Sequence, residues 1–243
     1  EKLPVGVKGR MGVLREVRYM TAPHSLQYRF SADRVEWESK ESGPKVIELT
    51  VAADAKAGVY TAGPLEIKIV DRVLPPAKEW KYYLDLWQHP WAVSRVNGVK
   101  PFSSAHYNAM RPVWELLATA GQKTLTVSML DEPWDHQCFD AYYSLIKRTK
   151  NADGSWTYDY SLFDEYVEFG RSCGLGPDIA CYTMCPWGYI VRYTGPDGKT
   201  VAVEARPGTA EFDGFWCPFL KDFARHLKSK GWFKDTFIAM DER

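Results

Sequence analysis

The feature that most constrains this chain is a change of hydrophobic period at the proline pair Pro75-Pro76. Ahead of the pair, apolar and polar residues alternate one for one. Beyond it, short apolar runs take turns with stretches whose apolar residues recur every three or four positions. Period two builds strands with one wet face, and period 3.6 builds helices with one buried stripe. Two differently constructed portions are therefore expected, residues 1–75 and 76–243, with "VLPPAKEW" (73–80) as a stiff linker.

In the first portion Leu26, Tyr28 and Phe30 alternate with Gln27 and Arg29. Ile47, Leu49 and Val51 alternate with Glu48 and Thr50, and Leu65, Ile67 and Ile69 with Glu66 and Lys68. Gly-Pro and Ala-Gly pairs punctuate the runs. An antiparallel β-sandwich, or part of one, is expected.

The second portion reads as strand, excursion, helix, strand. Strands are expected at "KYYLDLW" (81–87, buried), "TLTVSML" (124–130), "PDIACYTM" (177–184) and "TFIAM" (236–240). Helices are expected over 104–121, with Met110, Val113, Trp114 and Leu117 as the apolar stripe, and over 161–174, with Leu162, Tyr166 and Phe169. A third helix spans 213–231, with Trp216, Phe219, Leu220, Phe223 and Leu227 in phase and Pro218 in its first turns. Two insertions carrying Asp-Gly, "LIKRTKNADGSWTYDY" and "YIVRYTGPDGKTVAVEA", read as hairpins.

Strands alternating with helices imply parallel βα units. The expected fold is thus α/β plus all-β: a sandwich portion followed by the first half of a (β/α)8 barrel of the TIM type, stopping midway. A doubly wound open sheet is the rival, but no glycine-rich phosphate loop follows the first strand. In a barrel of this kind the chemistry gathers at the carboxyl ends of the strands. Those ends carry Asp85, Trp87, Gln88 and His89, then Asp131 and Glu132, then Tyr182 and Trp187, and finally Asp241 and Glu242.

Composition narrows the chemistry. Lys+Arg and Asp+Glu are equal at 31 each, so the charge excess that nucleic acid or an anionic membrane calls for is missing. No apolar run approaches the ~18 residues of a membrane span. Cys138, Cys173, Cys181, Cys185 and Cys217 have no C-x-x-C spacing, and no histidine sits at zinc-site spacing. Free buried thiols are expected, with no metal and no other cofactor. The opening "EKLPVGVKGR" holds neither an initiator Met nor a signal-peptide core, so a processed or engineered start is expected, and with a processed one an exported or periplasmic bacterial protein. Aromatics are plentiful, with 10 Trp, 14 Tyr and 11 Phe, and a flat ring face suits the C–H face of a pyranose.

The pair Asp241-Glu242 follows a strand of buried type. Adjacent carboxylates oppose each other's ionisation, which lifts one pKa toward that of a working acid. An acid beside an anion is equipment for cleaving a glycosidic bond. Asp131-Glu132 is a second such pair, and under a conventional retaining mechanism Glu132 is the nucleophile to Glu242's acid. Trp87, Trp134, Tyr182 and Trp187 serve equally as pocket lining or as core. Asp85 serves equally to bind a sugar hydroxyl or to pin a loop. His106 and His136 are read as structural or hydroxyl-binding. Arg243 is an electrostatic partner for the pair or simply the last residue.

Five ordered blocks also carry a resemblance. They are "AGVYTAGPLEIKIVDRVLPPAKEW" (57–80), "LDLWQHPW" (84–91), "LATAGQKTLTVSML" (117–130), "YDYSLFDEYVEF" (158–169) and "KGWFKDTFIAMDER" (230–243). Through nearly all of residues 57–243 the chain resembles glycoside hydrolase family 123, retaining N-acetyl-β-galactosaminidases and their relatives. The resemblance implies a β-sandwich joined to a (β/α)8 barrel, with the catalytic Asp-Glu after the fourth strand falling on Asp241 and Glu242. It implies substrate-assisted catalysis, in which the sugar's 2-acetamido oxygen attacks the anomeric carbon. Asp241 would hold the acetamide N–H, and Glu242 would protonate the leaving oxygen and then deprotonate water. The partner is then a glycan or glycolipid ending in β-linked N-acetylgalactosamine. The family's second half-barrel is missing from this stretch, so weak or no turnover by the chain alone is expected, with self-association through exposed barrel edges. The competing expectation is a carbohydrate-binding or structural module without catalysis.

Overall fold

The computed structural model of the chain describes residues 3–18, 26–31 and 45–240. The chain divides into two compact units, Glu1–Leu74 and Pro75–Arg243. The first holds β1 (Val7–Arg18), β2 (Leu26–Ser31), β3 (Lys45–Val51), β4 (Gly58–Ala62) and β5 (Leu65–Ile69). β1 lies between β2 and β3, antiparallel to both, while β4 and β5 form a separate hairpin. One small apolar cluster draws on both sheets: Val7, Ala62, Ile67 and Ile69, with Leu49 and Tyr60 against them. The alternation in β5 is obeyed, since Ile67 and Ile69 are buried and Glu66 and Lys68 exposed. Val51, read as an inward residue, is exposed at the end of β3. Of the stretch "SLQYRFSADRVEW" (25–37), Ser25 and the part beyond Ser31 lie outside the described residues.

The second unit opens on the stretch read as a linker, and the structure corrects that reading. Ala77–Glu79 close into a 3-10 turn, and the Trp80 indole N–H returns to the Pro75 carbonyl at 2.8 Å. Lys123 Nζ donates to the carbonyls of Ala77 and Lys78. Gly121, at φ +84°, lets the Trp80 ring approach so closely that a Cβ there would sit 3.1 Å from it.

Helices and strands then alternate. They are α1 (Pro90–Asn97), α2 (Ser104–Thr119), β6 (Thr124–Ser128), β7 (Lys147–Lys150), β8 (Trp156–Asp159), α3 (Ser161–Ser172) and β9 (Asp178–Tyr182). β10 (Ile190–Thr194), β11 (Thr200–Glu204), α4 (Ala210–Lys230) and β12 (Thr236–Ala239) complete the unit. The sheet β12-β9-β6 is parallel, with Ser128 paired to Tyr182 and Tyr182 to Ala239 at its carboxyl end. All of β6 is buried, as a strand covered on both faces must be. The Asp-Gly hairpins β7–β8 and β10–β11 join edge to edge through a parallel pair, Thr194 with Thr149. Both hairpins belong to excursions that leave the carboxyl ends of β6 and β9.

The helices pack as amphipathic cylinders, with some exchange of residues. Met110 and Trp114 of α2 are buried, whereas Val113, read into the stripe, is exposed. In α3 the buried set is Phe163, Tyr166, Val167, Phe169 and Gly170, with Leu162 only partly covered. In α4 it is Phe215, Trp216, Phe219, Phe223 and Leu227. Thr209 caps α4, accepting the Phe212 N–H through Oγ1, so the helix starts earlier than its apolar stripe suggests. Pro218 therefore falls in the helix interior rather than in its first turns. No helix among the described residues is long and apolar enough to cross a membrane.

The segment 81–87 is not the expected buried strand. Its ladder contact is a single bridge from Leu84 to Gln122, and Tyr82, Tyr83, Leu86 and Trp87 are exposed. Two buried carboxamides take the place of the ladder. Gln122 accepts the Leu86 N–H at 2.9 Å and donates to the carbonyls of Leu86 and Thr124. Gln88 accepts the Thr126 N–H at 2.8 Å and donates to the same two carbonyls. The helix α1 that follows has only eight residues and buries Pro90, Trp91 and Ser94, too short a stripe to show in the sequence. His89 caps it, Nδ1 accepting the Ala92 N–H, and Gly98 ends it in the left-handed conformation.

Candidate active site

The carboxyl ends of β6 and β9 and the segment after Leu84 bring three rings together. Trp87 stacks on Trp134 with ring centres 5.0 Å apart, and Tyr182 lies 4.7 Å from Trp87 and 5.4 Å from Trp134. Trp134 and Tyr182 are buried, while Trp87 remains 46% exposed. The cluster therefore presents one indole to solvent on a rigid aromatic base. Tyr142 extends it, meeting Trp134 edge-on at 4.6 Å, stacking on His89 at 3.7 Å and donating its hydroxyl to the Gln88 carbonyl. The Trp187 N–H bonds the Pro133 carbonyl at 3.0 Å and ties the loop after β9 to the loop after β6.

Asp131 and Glu132 leave β6 in an unusual backbone. Glu132, Asp135 and His136 all have positive φ, at 50°, 46° and 61°. Such values are uncommon without glycine, and they concentrate where a fold holds side chains for a purpose. Asp131 Oδ1 accepts the Ser144 N–H at 2.8 Å, so this carboxylate is committed to the loop. Glu132 Oε2 accepts the His136 N–H and faces His136 Nδ1 at 3.2 Å. Its Oε1 is buried with no hydrogen-bond partner among the described residues.

Arg148 braces this turn from beneath. Nη1 donates to the carbonyls of Met129 and Ile146 and to Ser144 Oγ, and the guanidinium lies 4.1 Å over the Phe219 ring. Burial pulls its pKa down to about 10, and Nε and Nη2 have no partner among the described residues. Neither Tyr142, Gln122 nor Arg148 was singled out by the sequence. Arg148 sits in a hairpin arm of polar type, and no pattern there announces a buried cation.

Other sequence candidates stand elsewhere. Gln88 is 3% exposed and spends its carboxamide on the backbone. His106 is fully buried; Nδ1 accepts the Phe102 N–H and Nε2 donates to the Pro90 carbonyl, both at 2.8 Å. That pairing fixes a neutral ring and leaves it no atom for a sugar hydroxyl, which corrects the substrate-binding reading of His106. Asp85 lies toward the beginnings of the strands, near Gln122 and Asp178, rather than at the ring cluster. Burial first, then the charge of Asp178, raises its pKa, and Oδ1 is unpartnered among the described residues. Cys173 and Cys181 are buried thiols as expected, but Cys138 and Cys217 are exposed. Asp241, Glu242 and Arg243 lie outside the described residues. Their strand is placed, with Ala239 beside Tyr182 in register.

A family model for the glycoside hydrolase 123 catalytic domain matches residues 87–243, from the exposed indole of the cluster to the last residue. The chain belongs to glycoside hydrolase family 123. No curated protein matches it. Among solved structures, it is similar to a family 123 glycoside hydrolase from Clostridium perfringens, studied for the details of glycolipid glycan hydrolysis. That likeness has a TM-score of 0.77 at 25% identity and covers 98% of this chain but 46% of the other. The chain thus spans about half the length of that family 123 protein.

Proposed function

We propose that the chain supplies the acid-bearing half of a glycosidase that removes terminal β-linked N-acetylgalactosamine from a glycan or glycolipid. The observation that carries this reading is the family match over residues 87–243, which takes in the ring cluster, the parallel sheet and Asp241-Glu242. The parallel strands β6, β9 and β12, with the segment around Leu84, stand as the first four staves of a (β/α)8 barrel, and the antiparallel unit as part of a β-sandwich. Asp241 and Glu242 follow β12 by two and three positions in the sequence, and the last residue of that strand, Ala239, pairs with Tyr182 of the ring cluster.

The chemistry uses the substrate's own acetamide. Its carbonyl oxygen attacks the anomeric carbon, and the glycosidic oxygen leaves with the proton of Glu242. Asp241 accepts the acetamide N–H, which aligns the nucleophile and offsets positive charge on the oxazolinium ring. Glu242 then takes a proton from water as that water opens the ring, so configuration at the anomeric carbon is retained. Neighbouring residues suit the two tasks, because acetamide and leaving oxygen lie on adjacent sugar carbons. The exposed Trp87 face suits the apolar side of the sugar.

The test is hydrolysis of an aryl N-acetyl-β-galactosaminide by the intact natural protein. Glu242→Gln is expected to lower kcat by at least ~100-fold, the usual weight of general acid–base assistance. An unchanged rate ends the assignment. An oxazoline mimic should inhibit strongly, and equal rates on a 2-hydroxy galactoside would remove the acetamide mechanism. Glu132 keeps a second reading open because its Oε1 is buried and unpartnered among the described residues. A covalent glycosyl-enzyme trapped on Glu132 would select the conventional retaining route. Sugar binding without any hydrolysis would select the binding module.

A further inference from the structure

A second cleft, of about 310 Å³, lies between the paired hairpins and the first turns of α4. Its walls include Lys150, Trp156, Tyr193, Glu211, Gly214 and Phe215. Trp156 and Tyr193 meet edge to face at 4.9 Å, and Phe215 closes the floor at 5.7 Å from Trp156. Lys150 Nζ stands 5.6 Å from the centre of the Trp156 ring. Half-buried rings, a cation and the exposed carboxylate of Glu211 thus share a hollow that the ring cluster around Trp87 does not use.

Gly214 adds an independent observation. Glycine inside a helix costs about 1 kcal/mol relative to alanine, so it usually has a packing reason. Here there is none, because a Cβ at Gly214 would meet nothing within 4 Å. The missing side chain only keeps the cleft open. Four residues on, Pro218 has no N–H, so the helix offers no i+4 donor to the Gly214 carbonyl. An open wall and an acceptor released from the helix occur at one residue.

We propose that this cleft is an accessory subsite for a pyranose ring of the glycan, separate from the ring that is cleaved. The proposal rests on the glycosidase reading for the identity of its ligand. Aromatic walls cover the C–H face of a sugar, while Lys150 and Glu211 offer a donor and an acceptor for hydroxyls. Both hairpins follow the carboxyl ends of parallel strands, β6 and β9, the end of the sheet that also carries the ring cluster. Remote contacts of this kind hold a long substrate without taking part in bond breaking.

The experiment follows the indole N–H signals of Trp156 and Trp87 by NMR in the intact protein, each assigned by its loss in a Trp→Phe variant. The probe is a β-linked trisaccharide ending in N-acetylgalactosamine, added to wild type and to Glu242→Gln. Both signals should move, and Gly214→Leu should weaken the Trp156 response about tenfold or more by filling the hollow. Gly214→Leu keeps a good helix former at that site, and Tyr193→Ala should weaken the same response if Leu disturbs the helix. If Trp87 moves and Trp156 does not, the subsite is refuted and the glycosidase reading survives. If Trp156 moves while no aryl glycoside is hydrolysed, the subsite stands and the glycosidase reading falls. An undiminished Trp156 response in both variants, or no response of either indole, overturns the subsite.

Discussion

Replacing Gln122 by glutamate tests whether a carboxamide stands in for a strand ladder at the base of the site. The substitution keeps shape and turns a donor into an acceptor. Gln122 is 2% exposed and makes three bonds: from the Leu86 N–H at 2.9 Å, to the Leu86 carbonyl at 3.2 Å and to the Thr124 carbonyl at 2.7 Å. An ionised glutamate keeps the first and loses the other two, setting a carboxylate against two carbonyls and close to Asp85. Two lost bonds at about 1 kcal/mol each, plus burial of the new charge, give a loss of about 2–4 kcal/mol at pH 7. The new carboxyl has its folded pKa raised above the ordinary value near ~4.3. Its penalty is thus absent below that value and grows as pH rises toward the folded pKa. Protonated, it regains one donor, so the loss should shrink to about 1 kcal/mol in acid. Urea unfolding at pH 7 and pH 4, followed by tryptophan fluorescence, reads the second unit, since every tryptophan but Trp37 lies there. A loss below about 0.5 kcal/mol at pH 7, or an equal loss at both pH values, would refute the substitute-ladder argument.

Three further outcomes are expected. Asp85→Asn should raise the melting temperature at pH 7 and leave it unchanged near pH 3, because a carboxyl with a raised folded pKa destabilises the fold above its unfolded value of 3.8 and not below it; a lower melting temperature at pH 7 would contradict this. Gly170→Ala should cost about 1–2 kcal/mol despite better helix propensity, because its Cβ would fall 2.8 Å and 2.9 Å from the Leu125 methyls. Combined with Leu125→Val it should cost less than the sum of the two, as measured in a double-mutant cycle. Arg148→Met should stay within about 1 kcal/mol of wild type while Arg148→Lys loses about 2–4, since methionine removes a buried charge and lysine keeps it without the planar fork; the reverse order in urea unfolding would show that the cation itself is needed.

Much of the second unit was legible because its signals are local. The helices over 104–121, 161–174 and 213–231 show their stripes, and Asp-Gly marks both hairpins, where Gly154 and Gly198 adopt positive φ. The strands β6, β9 and β12 read as short apolar runs, each followed by a polar or aromatic exit. Errors came where distant side chains decide. Segment 81–87 carries the composition of a strand, yet Gln88 and Gln122 satisfy it in place of a ladder. The prolines at 75 and 76 announce a stiff spacer, yet Lys123 and the space above Gly121 hold the turn that follows. His106, read as structural or hydroxyl-binding, is structural, since both of its nitrogens are spent on backbone.

The sequence by itself determined the alternation of elements, the change of architecture at the proline pair and the run of residues that carries family membership. Periodicity and turn chemistry are properties of neighbours along the chain, so they can be read there. Only the tertiary structure decided that Trp87, Trp134, Tyr142 and Tyr182 form one cluster, that Arg148 lies buried beneath the turn at Asp131-Glu132, and that Gly214 opens a second cleft. These depend on strand register and on contacts between residues as much as 95 positions apart, from Trp87 to Tyr182. Such a meeting is settled by packing energy summed over the whole core, which no local stretch contains.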